Sequence, residues 1–174
     1  MLSQLSAFIS TPHKFIQEAQ FADIRKLSLL SIVIAALSSQ VQVSTSFTQL
    51  LLGTIFGALG IAFILFIQSV TQDFIAQALN LKPQSLSLFY WLGLSFLPYA
   101  LFLPLSVLSQ VGTLGIIAEL AKFGIIIWTC ILQIQILKSL YSTSTLISTV
   151  IYIFPVIFII AISLLLLILS AILA

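Results

Sequence analysis

Residues 49–72 contain no charged side chain, and neither do residues 146–174. A helix needs ~20 apolar residues to cross the ~30 Å hydrocarbon core of a bilayer, and each of these runs is long enough. Inside a lipid core every backbone polar group must be satisfied within the protein, and an α-helix does this within each segment. The chain reads as all-α. Composition agrees: 61% of the residues are hydrophobic and 6% are charged, against about a quarter charged in typical soluble domains. Six Lys and Arg with four Asp and Glu cannot cover a 174-residue chain with a water-facing surface. Water is not its main solvent.

The apolar runs predict five transmembrane helices. Leu27–Val43 is the weakest, diluted by Ser38, Ser39, Gln40 and Gln42. Gln49–Gln72 is the clearest. A polar break is expected over Asp73–Ser85, whose first part, DFIAQALNL, has helical spacing suited to lying along the interface. Leu86–Leu108 is interrupted by Pro98 and Pro104, Ala118–Leu137 is closed by Lys138, and Leu146–Ala174 contains Pro155. Pro155 is expected to bend that last span or to mark an interfacial first turn. With the N-terminus in the cytoplasm, Lys14, Arg25, Lys26, Lys82 and Lys138 all face inward. The outer turns near 44–48 and 109–115 carry no Lys or Arg, as the positive-inside rule asks, and Lys122, just inside the fourth span, is alone on that side. An odd number of spans then puts the C-terminus outside.

Residues 1–26 form a cytoplasmic segment ahead of the membrane domain of residues 27–174. Thr11 can cap a helix with Pro12 at its first position, where the missing N–H costs nothing. Phe15, Ile16, Ala19 and Ala22 share one face of that helix, so an amphipathic helix on the inner leaflet is expected. It reads either as an anchor or as a docking surface.

Catalytic groupings are missing. His13 is the single histidine and Cys130 the single cysteine, so no metal or haem ligand set can be assembled and no internal disulfide can form. Glu18, Asp23, Asp73 and Glu119 lie in separate segments without paired spacing. No G-x-S-x-G and no glycine-rich phosphate loop is present. The Ser142–Thr145 run reads as a polar loop and helix cap. No enzymatic activity, no cofactor and no nucleic-acid partner is expected; the net charge of +2 is small and scattered.

The candidate functional residues are therefore intramembrane. Glu119 and Lys122 lie one turn apart on one helix face. They read either as an ion pair at the outer interface or as a polar element facing a cavity or partner. Gln133 and Gln135 in the fourth span, with Gln68 and Gln72 in the second, are placed to bond between helices. Gly53-x-x-x-Gly57, followed by Gly60, offers a close-packing face. Pro98 and Pro104 free backbone carbonyls in the third span, making it the expected irregular element.

The order of these segments resembles the Yip1 domain of small five-span membrane proteins. Pro12-His13-Lys14-Phe15 is similar to the P-x-x-F entry of bacterial members, and Gly93–Pro98 to the glycine-to-proline stretch of the third span. Trp128 followed by Leu132, the run Leu137–Ser144, and Pro155 fit the later segments. The resemblance covers nearly the whole chain through short motifs. The long cytoplasmic N-terminal region and the acidic-Leu-Tyr-Gly-Pro motif of eukaryotic members are missing, which puts in doubt any transfer of their binding to small GTPases. The resemblance implies a prokaryotic member in the plasma membrane, with no settled activity. Two functions remain open: a scaffold or adaptor organising membrane proteins or lipid, and a small transporter or channel subunit working as an oligomer.

Overall fold

A computed structural model of the protein describes residues 21–41, 46–109 and 114–157. Most of the expected inner-leaflet helix, from Thr11 through residue 20, and the last part of the fifth span from residue 158 on lie outside these residues. The described part is all-helical, without strands. It consists of α1 (Phe21–Gln40), α2 (Phe47–Ala78), α3 (Ser85–Leu94), a 3-10 turn (Leu97–Leu101), α4 (Phe102–Leu108), α5 (Leu114–Leu140) and α6 (Thr145–Ile157).

Three of these units are long and apolar enough to cross a membrane: α2, the composite Ser85–Leu108, and α5. α1 begins at Phe21, ahead of the expected start at Leu27, and so includes Asp23, Arg25 and Lys26. Its 20 residues are about 30 Å long, close to one hydrocarbon thickness. The described part of α6 is shorter, and Pro155 lies well past its first turn.

The expected break at Asp73 is not there. α2 continues through DFIAQA to Ala78, reaching 32 residues and about 48 Å. No glycine or proline interrupts residues 61–78, and the Asp73 carboxylate finds partners without leaving the helix. The helix stops instead in a Schellman motif. Asn80 takes positive φ (61°), its N–H donates to Gln77 O at 2.8 Å, and Leu81 N–H donates to Ala76 O at 3.0 Å. Asparagine tolerates this left-handed conformation better than most residues, and Pro83 prevents a restart. α5 ends alike, with Ser142 at φ 51° and Thr143 N–H donating to Lys138 O at 3.1 Å. Ser144 then caps α6, its Oγ accepting from Ile147 N–H at 3.3 Å.

Proline breaks the third span as its sequence predicts. Pro98 occupies the first turn of the 3-10 segment and Pro104 the first turn of α4, the two positions where a missing N–H is tolerated. The span is therefore three short pieces, and at the end of the first the buried Ser95 donates from Oγ back to Leu92 O at 2.6 Å.

The interior mixes an apolar core, including Leu88, Leu92, Leu132 and Ile136, with small and polar residues, while many large apolar side chains face outward. Ser28, Ser31, Ser69, Gln72, Ser95 and Gln133 are buried, while Phe56, Phe63, Ile64, Ile116 and Phe123 are more than 60% exposed. Small and polar residues let helices approach closely, and large apolar residues are left facing outward. Gly53 and Gly57 take part in this close packing inside the chain, because α2 meets α1 there. A Cβ on Gly53 would come 2.6 Å from Gln40 Oε1, and one on Gly57 would touch Ala36 Cβ at 3.5 Å. Gly60, next in the series, faces open space.

Candidate functional site

Three polar features can be located on this frame. The first ties the ends of α2, α3 and α5 together. Asp73 is buried, and its Oδ1 accepts from Tyr141 Oη at 2.5 Å and from Gln84 N–H at 2.7 Å. Its Oδ2 accepts from Gln77 Nε2 at 2.9 Å, one helical turn on. Gln84 closes the assembly by donating from Nε2 to Leu140 O at 3.2 Å. Neutral donors, rather than a cation, thus hold the carboxylate. Burial and the neighbouring carboxylate push the Tyr141 phenol well above its ordinary value of 10, so it stays a donor at every physiological pH. The sequence predicts a polar break at Asp73, with an interfacial helical piece after it, and gives no hint of this junction. Its signal, a lone acid near one helix end and a tyrosine near another, pairs only once the helices are folded together.

The second feature is a chain of amides across the bundle. Gln68 Nε2 donates to Gln133 Oε1 at 3.1 Å, and Gln133 Nε2 donates to Ser95 Oγ at 3.1 Å. This links α2, α5 and the break after α3, uniting Gln133 with the irregular third span. Gln135 takes no part in it. Gln72 stands one turn from Gln68 and is completely buried, yet neither atom of its amide has a hydrogen-bond partner.

Beside these amides lies a cavity of about 590 Å³ between α2, the 3-10 segment, α5 and α6. Hydrogen-bonding side chains line one end: Gln68, Thr71 and Gln72 of α2, and Gln133 of α5. These positions lie within about 16 Å of the α2 and α5 C-termini, on the Lys138 side. Ile64, Ile67 and Ile126 form its apolar, outward-open edge, and Phe96, Tyr99, Thr129, Cys130, Tyr152, Pro155 and Val156 complete the lining. No charged side chain is part of the lining. A second recess, about 440 Å³ and apolar, separates Pro98 and Leu101 from Ile125 and Trp128 of α5.

Glu119 and Lys122 form the expected pair, Lys122 Nζ donating to Glu119 Oε1 at 2.7 Å. Neither lines the main cavity; Glu119 borders a shallow recess with Ser109 and Gly115. The Glu119 side chain is 62% exposed and that of Lys122 12%; with one end of the pair open, replacing both residues with Gln is expected to shift stability by about 1 kcal/mol or less, with normal insertion. Thermal unfolding in detergent measures this.

The site supplies hydrogen-bonding amides and an apolar pocket. No grouping of three or more His, Cys, Asp and Glu that could hold a metal occurs among the described residues. No family model, curated protein or solved structure matches the chain.

Proposed function

We propose that the protein is a five-span, Yip1-type membrane protein that works without catalysis as a scaffold or adaptor for membrane partners and local lipid. In this reading the N-terminus is cytoplasmic and the C-terminus outside, in a prokaryotic plasma membrane. α1 is the first span, supported by its outward Leu29, Leu30 and Val33 opposite the buried Ser28, Ser31 and Ala36. α6 begins the fifth.

The observation that carries the functional reading is how the interior polar groups are used. Gln68, Gln133 and Ser95 bond to one another and Asp73 accepts from three donors, which leaves the enclosed Gln72 amide and the Ser28 hydroxyl as exceptions. A conducting path needs polar groups left free for a passing solute, and a charged route is expensive to line. The interior instead fixes helix positions, and the outward faces offer large apolar side chains such as Phe56, Leu59 and Phe63 of α2. Such faces suit neighbouring helices, lipid or a second copy.

The cavity is what favours transport as a second reading. Two measurements on purified, reconstituted protein separate the two. A photocrosslinking residue at Phe63 is expected to give discrete protein or self adducts in membranes. Proteoliposomes are expected to show no selective, saturable flux; such a flux, lost in Gln133→Leu, would overturn the scaffold reading.

A further inference from the structure

Tyr99, Cys130 and Tyr152 meet at the 590 Å³ cavity from three separate elements, the 3-10 segment, α5 and α6. Each is half-buried, and none takes part in the Asp73 junction or the amide chain. Tyr152 has the Cys130 thiol beside its hydroxyl, a weak partner, and Tyr99 neighbours both. The Tyr99 hydroxyl bonds to no other described residue. Tyrosine removed from water usually finds a partner for its O–H, and hydrocarbon supplies none. Cys130 stands eight residues before Lys138 and eleven after Glu119, about 12 Å and 17 Å along α5. The group therefore lies near the middle of a ~30 Å hydrocarbon core.

We infer that this cavity holds the head of a lipid-borne quinone, a flat, uncharged ring with two carbonyl acceptors and an apolar tail. The two phenols and the thiol are donors, and a quinone carbonyl can only accept. Phe96 and Tyr99, both in the lining, stack with centroids 5.1 Å apart and planes 26° from parallel, which gives such a ring a flat aromatic wall. No charged side chain lines the cavity, so a carboxylate or ammonium head would lose its water and meet no countercharge. A phospholipid would have to draw its headgroup about 12 Å below the interface to reach the phenols, and an acyl chain alone would leave them unanswered. The outward-open edge at Ile64, Ile67 and Ile126 is the exit for the tail into the bilayer. The volume lies within the range typical of small-molecule sites.

The inference rests on the spanning reading proposed above, which sets the depth of the cavity. For the test, the full chain is reconstituted in phosphatidylcholine vesicles with a decyl-tailed azidobenzoquinone and illuminated. Adducts are expected at Phe96, Tyr99, Cys130 or Tyr152. Decylubiquinone should displace them, and decanol should do so at least tenfold less well. Its ring is fully substituted, so it does not add to the Cys130 thiol. The double variant Tyr99→Phe with Tyr152→Phe should need about tenfold more quinone or beyond for the same labelling, through the lost hydrogen bonds. Both rings remain in that variant, so its ligand-free thermal midpoint should match the wild type. Labelling confined to outward residues such as Phe63, equal competition by decanol, or undiminished labelling of the double variant overturns the inference. The sidedness of Thr45→Cys and Ser142→Cys is read separately. Normal sidedness without a displaceable adduct sinks the quinone site alone, and lost sidedness sinks both readings.

Discussion

Asp73→Ala is expected to lower the thermal midpoint in detergent by on the order of 10 °C, the largest loss from any single polar substitution. Three hydrogen bonds end on this buried carboxylate. Bonds to a charged group contribute roughly 1.5–3 kcal/mol each, and removal strands the Tyr141 hydroxyl and the Gln84 N–H. The sum, discounted for relaxation, is about 3 kcal/mol or more. Asp73→Asn should lose far less, since its amide oxygen still accepts from Tyr141 and Gln84 while Gln77 can turn its amide. Tyr141→Phe should fall between them. Alkaline titration gives an independent check. The phenol's folded value is raised above its unfolded value of 10, so its contribution is complete below pH 10 and declines as pH rises beyond that. Tyr141→Phe should remove that part of the alkaline decline. A wild-type midpoint in Asp73→Ala would show that the junction holds nothing together.

Gly93→Leu should be nearly as damaging, through volume rather than charge. A Cβ at Gly93 collides with Ser28 Oγ and lies 3.1 Å from Ile32 Cδ1, so α3 touches α1 there backbone to side chain. Overfilling a packed contact costs roughly 1–3 kcal/mol, and the branched end of leucine has nowhere to go. The expected signature is separation of α1 from the bundle, measured as rapid proteolysis ahead of Phe47. Gly60→Leu is the control, because nothing lies within 4 Å of a Cβ there. It should leave the midpoint within the error of the wild type.

These two sites mark where the sequence is readable and where it is not. Helices long enough to span follow from apolar run length, and the broken third span follows from Pro98 and Pro104, since both effects are local. The caps at Ser144 and Asn80 are local as well. α2 runs past Asp73 although an acidic residue inside an apolar run reads as a boundary. Its partner Tyr141 is 68 positions away, so only the folded chain reveals that the charge is accommodated. The Gln68–Gln133 bond was foreseeable as a type of contact, since amides at matching depth in two spans have few other partners. The solitary Gln72 and the cavity were not, because an empty volume is a property of three or four surfaces together. The Gly53-x-x-x-Gly57 face shows the same limit: spacing announces close packing without saying whether the neighbour is α1 or another molecule.

In the proposed five-span bundle α1 crosses the membrane and the α2–α3 and α5–α6 loops face inside. Single cysteines at Thr45 and Ser142, in a chain with Cys130→Ala, test it directly with a membrane-impermeant thiol reagent on intact cells. The account predicts labelling of Thr45→Cys and protection of Ser142→Cys until the membrane is opened. Labelling of Ser142→Cys with protection of Thr45→Cys would put Lys82 and Lys138 outside and contradict it.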